Sequence, residues 1–251
     1  MARLKSLLKV EGTLDDLSFY ESKNGHIVRK KGGVKPGLIK NDPRFVRTRE
    51  NMAEFTEISQ AGKIIRTALR PVSFGSADIH YMGRLSKVLA EIKKFDLVSN
   101  RGERKIAIAL ESPETRKMFT GLMLNERAVL DLVFSGKYEF IKVAKKIQFN
   151  EFLIEKTMNL AQGATHCGFQ FMWARISVAN ATSVNGFSNE HLIALGNKEV
   201  IPAFDLVAPE IDDSEGLLLI VLRINFYQKL NNKNYPLNSG DNNPVQIIYS
   251  E

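Results

Sequence analysis

The only cysteine, Cys167, directly follows His166 in the tripeptide Thr165–His166–Cys167. A thiol beside an imidazole is the raw material of a cysteine nucleophile. Neighbouring residues of a strand point to opposite faces, so this pair cannot form a working dyad there, and a buried, chemically idle cysteine is expected. The four histidines, His26, His80, His166 and His191, are far apart in sequence. No H-E-x-x-H, C-x-x-C or G-x-S-x-G pattern occurs. Asp212, Asp213 and Glu215 form an acidic loop ahead of an apolar run. They lack the ligand spacing of a calcium-binding loop, and are read as a solvated segment or a docking point for a basic partner. The "GGVKPG" stretch (residues 32–37) lacks the phosphate-loop pattern, and Pro36 removes one backbone donor. These residues therefore predict no catalytic site, no metal and no cofactor.

A second kind of chemistry is carried by charge. Between Val28 and Arg49, "VRKKGGVKPGLIKNDPRFVRTR", stand Arg29, Lys30, Lys31, Lys35, Lys40, Arg44, Arg47 and Arg49 against one acid, Asp42. This local net of +7 equals the charge of the whole 251-residue chain. Such a cluster can neutralise phosphates, but single-strand binders interleave stacking aromatics, and here only Phe45 intervenes, on an apolar helix face. Residues 1–150 hold 29 Lys and Arg against 17 Asp and Glu, while residues 151–251 hold 6 against 11. Net charges of +12 and −5 fit either a polyanion-binding half or a basic surface of one copy meeting an acidic surface of the next.

The elements that carry these residues follow from pattern. "LLKVEG", "LSFYES" and "HIVRKK" read as strands, with Asn24–Gly25 as a hairpin turn. A two-stranded ribbon is marginal alone, so this arm is expected to lean on the rest of the chain or on a neighbouring subunit. Asn41–Asp42–Pro43 reads as a helix start, followed by a stripe at Phe45, Met52, Phe55, Ile58, Gly62, Ile65 and Leu69 that should end at Pro71. Gly62 would admit close approach of a second helix, whose own stripe is Ile79, Met82, Leu85, Val88, Leu89 and Ile92. "RGERKIAIALES" (residues 101–112) reads as extended, and Ser112–Pro113–Glu114 as the start of a short helix.

From residue 137 strand patterns dominate: Tyr138–Val143, Phe169–Val178, His191–Leu195, Leu217–Gln228 and Val245–Tyr249, with weaker ones at Ile147–Ile154 and Val200–Val207. Leu217–Leu222, apolar on both faces, is expected to be a central strand. Phe169, Phe171 and Trp173 should share one face of their strand, and Met172, Ile176 and Val178 the other. The whole predicts an α+β chain: a β-ribbon arm with a basic loop over 1–40, a helical hairpin within 41–135, and an antiparallel, Ig-like β-sandwich over 136–251. No apolar run approaches the roughly 20 residues that span a bilayer, and the opening residues lack the apolar core of a signal peptide. A cytoplasmic protein without membrane contact is expected.

The opening "EGTLDDLSFYESKNGHIVRKKGG…DPRFVRTRENMAEF" and the closing "LRINFYQKLNNKNYPLNSGDNNPVQII" resemble the two ends of a family of uncharacterised bacterial proteins seen mainly in Bacteroidetes. "RGER" at 101–104 and "GATH" at 163–166 are similar to it as well. The resemblance brings no activity and no catalytic residues.

The function expected from these readings is structural: a non-catalytic subunit that joins copies of itself, head to tail, into an oligomer, filament, tube or phage-like particle. Its contacts would be the eight basic residues of 29–49 and, on the partner copy, Asp212, Asp213 and Glu215. The alternatives are a nucleic-acid binder that uses the same basic residues, and a small-ligand or carbohydrate-binding sandwich with loops around Trp173 or Tyr235.

Overall fold

In the computed structural model, which describes residues 2–3, 10–23, 25–30, 32–196, 199–211, 214–237 and 240–251, the chain turns back at Gly25. Its φ of 96° suits a residue without Cβ. The strands on either side, Leu17–Ser22 and Gly25–Lys30, pair antiparallel with Ser22 opposite Gly25, so the hairpin is present but Gly25 is the first residue of its strand rather than part of the turn, and Asn24 lies outside the described residues. They are not alone. Ala2–Arg3 (β1), Gly12–Leu14 (β2), Leu17–Ser22 (β3) and Gly25–Lys30 (β4) form one antiparallel sheet in the order β1-β4-β3-β2. Half of the "LLKVEG" stretch, residues 7–9, lies outside the described residues, and of the rest only Gly12 is in a strand. Pro36 then opens a short helix, Pro36–Asn41 (α1), because a proline loses nothing at the first helical position; only the residues before it are irregular.

Asp42 starts the next helix. Its carboxylate accepts the Arg44 N–H at 2.9 Å, a 3-10 turn follows over Pro43–Phe45, and Val46–Ser73 (α2) runs two residues beyond Pro71. The chain divides into two compact units, Met1–Glu50 and Asn51–Glu251, where the sequence suggested segments 1–40, 41–135 and 136–251.

In the second unit α2 is joined by Tyr81–Ile92 (α3). Glu54 pairs with Lys93 and a Cβ on Gly62 would lie 3.5 Å from Leu89 Cδ1. Contact order along the two helices is thus reversed, which is the antiparallel hairpin. That 3.5 Å is an ordinary contact, so Gly62 does not set the approach. Only the C-terminal part of each predicted stripe is at work: Ile58, Ile65, Leu69 and Leu85, Leu89, Ile92 are buried. Met52, Phe55, Ile79 and Met82 are exposed.

Residues 101–112 correct the prediction of an extended segment. They form turns and the helix Ile106–Ala109 (α4). Their backbone donors go to carboxylates: Gly102 N–H to Glu54 at 2.9 Å and Lys105 N–H to Asp96 at 2.7 Å. Ser112 caps Pro113–Lys117 (α5), its Oγ accepting the Glu114 N–H, and Leu130–Val133 (α6) is a single turn.

The strands are Tyr138–Ile141 (β5) and Lys146–Phe149 (β6), then, after the turn Ile154–Thr157 (α7), His166–Ser177 (β7), Thr182–Phe187 (β8), His191–Ala194 (β9), Phe204–Val207 (β10), Leu217–Leu230 (β11), Lys233–Pro236 (β12) and Val245–Ser250 (β13). All pairings are antiparallel. A six-stranded sheet has β11 and β7 at its centre, with β12 and β13 beside β11 and β8 and β9 beside β7. A three-stranded sheet has the order β10-β6-β5.

Period-two alternation decides what each face meets. Leu217, Leu219 and Val221, with Met172, Ala174 and Ile176, join the helices in one core. Leu218, Ile220, Leu222 and Ile224, with Cys167, Phe169, Phe171 and Trp173, face the small sheet in a second core. Phe149 bridges the layers there, its ring centroid 5.3 Å from Phe169 and 4.7 Å from Phe204. The six-stranded sheet is thus covered by helices on one side and by strands on the other, and the helices and strands on either side of residue 136 share a core.

Candidate assembly site

The N-terminal unit has little interior. No residue described between 10 and 50 is fully buried, Phe19, Tyr20, His26, Ile27 and Val28 are half-buried, and Val10, Leu14, Leu17, Val34 and Leu38 are 42% to 66% exposed. Among the described residues β2 pairs only with β3, so it presents an open strand edge there.

The basic residues of this unit divide by role. Arg44 lies 2.7 Å from Asp42 and Arg47 lies 3.2 Å from Glu50. Hydrogen bonds from Arg44 hold the Asp42 carboxyl below its ordinary range. Arg49 donates to the carbonyls of Ile39 and Asp42, each at 2.9 Å, and the Asp42 carbonyl also accepts the Phe45 N–H at 3.1 Å. Arg44 and Arg47 are thus paired with acids of their own unit, and Arg49 is held by backbone carbonyls. Arg29 sits over the ring of Tyr20, 5.5 Å from its centroid, and Lys30, Lys35 and Lys40 are exposed. Lys31 lies outside the described residues.

Asp212 and Asp213 also lie outside the described residues. Glu215 is exposed and borders a cavity of about 590 Å³ that also contains Glu111, Arg116 and Arg175. Two arginines of its own chain thus share its surroundings.

The chemical candidates separate in the same way. Cys167 is fully buried, and burial pushes its thiol up to about 12. His166 bonds Thr165 Oγ1 instead, at 3.0 Å. His191 stacks on Phe204 at 3.9 Å, and burial lowers its pKa. Among the described residues no three His, Cys, Asp or Glu side chains gather as metal ligands would. Trp173 is 5% exposed and so is closed to a sugar, while Tyr235 is half exposed on β12. No helix among the described residues is long and apolar enough to cross a membrane.

The strand β8 and its surroundings escaped sequence reasoning. Among the described residues β8 pairs only with β7, Thr182–Asn185 are exposed, and the Asn185 side chain donates to the Ala68 carbonyl of α2 at 3.1 Å. A cavity of about 750 Å³ lies between α2 and the turn and first residues of β8. The signal was available: Ile176–Asn189 contains no charged residue and no proline. Comparison with protein-family models, curated proteins and solved structures finds no match.

Proposed function

We propose that this protein is a non-catalytic structural subunit that assembles with copies of itself through its N-terminal unit. The observation that carries the reading is that no residue described between 10 and 50 is fully buried, while five apolar ones are 42% to 66% exposed. A sheet stabilises itself by covering one apolar face, and each apolar side chain so covered contributes about 1.5–3 kcal/mol. Val10, Leu14, Leu17, Val34 and Leu38 obtain little of that within one chain. A neighbouring copy would supply the cover and would pair the open edge of β2.

The nucleic-acid reading is weaker than the charge count suggested, because Arg44, Arg47 and Arg49 are engaged within the unit. The facing sheets of the second unit are the part that answers to an Ig-like sandwich, with helices on the outer face of the larger sheet. A cytoplasmic setting and kinship with the Bacteroidetes family belong to the same proposal.

The test compares the full chain with a chain lacking residues 1–45, by sedimentation velocity and electron microscopy over a range of concentrations. The full chain should form larger species as concentration rises. The truncated chain should stay monomeric and keep its thermal midpoint. A full chain that stays monomeric throughout, and binds DNA with steep salt dependence, would replace this reading with the nucleic-acid one.

A further inference from the structure

We infer that the groove between α2 and the edge strand β8 receives β2, Gly12–Leu14, with the two residues before it, of a second copy by strand addition. This inference rests on the assembly reading and names its contact.

An exposed strand edge is a template for pairing, and natural sheets usually blunt such edges with Lys, Pro or a covering element. β8 has none of these. It is an end strand of the six-stranded sheet, Val184 is 53% exposed, and the fourteen residues Ile176–Asn189 lack charge and proline. Beside it the 750 Å³ cavity is walled by Lys63, Ile64 and Thr67 of α2 and by Val178, Ala181 and Ser183 of the β7–β8 hairpin. A strand edge next to a helix, with space between them for side chains, is the geometry by which extended peptides add to sheets. Main-chain hydrogen bonds then supply affinity, and the groove supplies selection.

Charge selects the occupant. The charged residues that line the groove are Lys63, Lys105 and Glu57, and Glu57 lies 3.3 Å from Lys105, so the lining keeps a net positive charge centred on Lys63. The complementary segment is in the N-terminal unit: from Val10 to Ser22 stand Glu11, Asp15, Asp16 and Glu21 with no basic residue. Within it β2 is an open edge, and Val10 and Leu14, 49% and 66% exposed, offer apolar side chains to a groove floored by Ala61, Ile64 and Ile108. The β2 and β8 surfaces differ, so their contact is head to tail, and it propagates into a ring or an open polymer.

The experiment uses the full chain carrying Cys167→Ala, with Thr13→Cys in one preparation and Val184→Cys in another. A short bismaleimide should cross-link chains only when the two preparations are mixed. Ser183→Asp, at an exposed position, should weaken association tenfold or more without moving the thermal midpoint. Glu11→Lys on the partner copy should restore it. Self-cross-linking of Val184→Cys alone would overturn the inference in favour of β8–β8 pairing. Ser183→Asp chains that assemble like the parent would place the contact elsewhere while leaving self-assembly standing. A parent chain that is monomeric would remove both.

Discussion

Replacing Asp96 with asparagine tests the part of the fold that sequence reasoning misread. Asp96 is fully buried and follows the 3-10 turn Lys93–Phe95 at the end of α3. One carboxylate oxygen accepts the N–H groups of Val98 at 3.1 Å and Ser99 at 2.9 Å. The other accepts that of Lys105 at 2.7 Å. These three bonds overcome the desolvation that opposes ionisation and bring the carboxyl from its ordinary 3.8 to about 2. A shift of that size is worth about 2 kcal/mol of stability at neutral pH. Asparagine has nearly the same shape, but its amide would face the Lys105 N–H with a second donor, and an orphaned buried donor costs about 1–3 kcal/mol. The two figures describe overlapping losses, so Asp96→Asn should cost about 3 kcal/mol at pH 7.

The pH dependence gives the decisive control. The folded-state pKa is depressed, so the contribution is complete above about pH 4 and is lost as pH falls through about 2. Urea unfolding followed by far-UV circular dichroism at pH 7 and at pH 2.5 should therefore show the gap between parent and variant shrinking at the lower pH. A gap of equal size at both values, or one under about 0.5 kcal/mol at pH 7, would refute the assignment of loop 97–105 to this carboxylate.

Trp173→Ala should cost about 3–5 kcal/mol in urea unfolding, and an unchanged midpoint would contradict its burial. A Cβ on Gly186 would stand 2.8 Å from Trp173 Nε1, so Gly186→Ala should cost about 1–3 kcal/mol, and most of that cost should vanish in the Trp173→Ala background, where the crowding atom is gone. Cys167 should resist iodoacetamide at pH 7 until the chain unfolds, and Cys167→Ala should leave assembly by sedimentation unchanged; rapid labelling of the native protein would show a reactive thiol.

Elements whose signal is local were legible. The Leu217–Leu222 run can be buried on both faces only at the centre of a sheet, and β11 is there. Asp42–Pro43 and Ser112–Pro113 satisfy their own helix starts, so no distant residue had to be known. Residues 96–112 were not legible because their backbone partners are Glu54 and Asp96, and Glu54 is about fifty positions away. Hydrophobic periodicity carries no trace of a carboxylate arriving from another helix. Met52 and Phe55 continue the α2 stripe in sequence, yet the core begins only at Ile58, where a second helix and the sheet are present to cover it. β12 could have been found: Asn231 and Asn232 take φ of 49° and 60°, the conformation of a tight hairpin turn that asparagine tolerates.

The proposed site draws on the charge pattern of the N-terminal unit. Summed from Val28 to Arg49, the charge is +7, but a sum does not show which charges are already answered. Three of the eight are held by Asp42, Glu50 and backbone carbonyls within a few residues. The N-terminal unit as a whole carries 12 basic against 6 acidic residues, and this total conceals a division that has more consequence. Val10–Ser22 has four acids and no base, while Lys23–Arg49 has nine bases and one acid. A module with opposite charge on successive segments is oriented by a neighbour's field rather than merely attracted to it. Orientation is what strand addition requires, because an edge that arrives out of register exposes the wrong side chains. On the proposal above, the acidic strand, rather than the basic loop that first draws the eye, would select the groove beside Lys63.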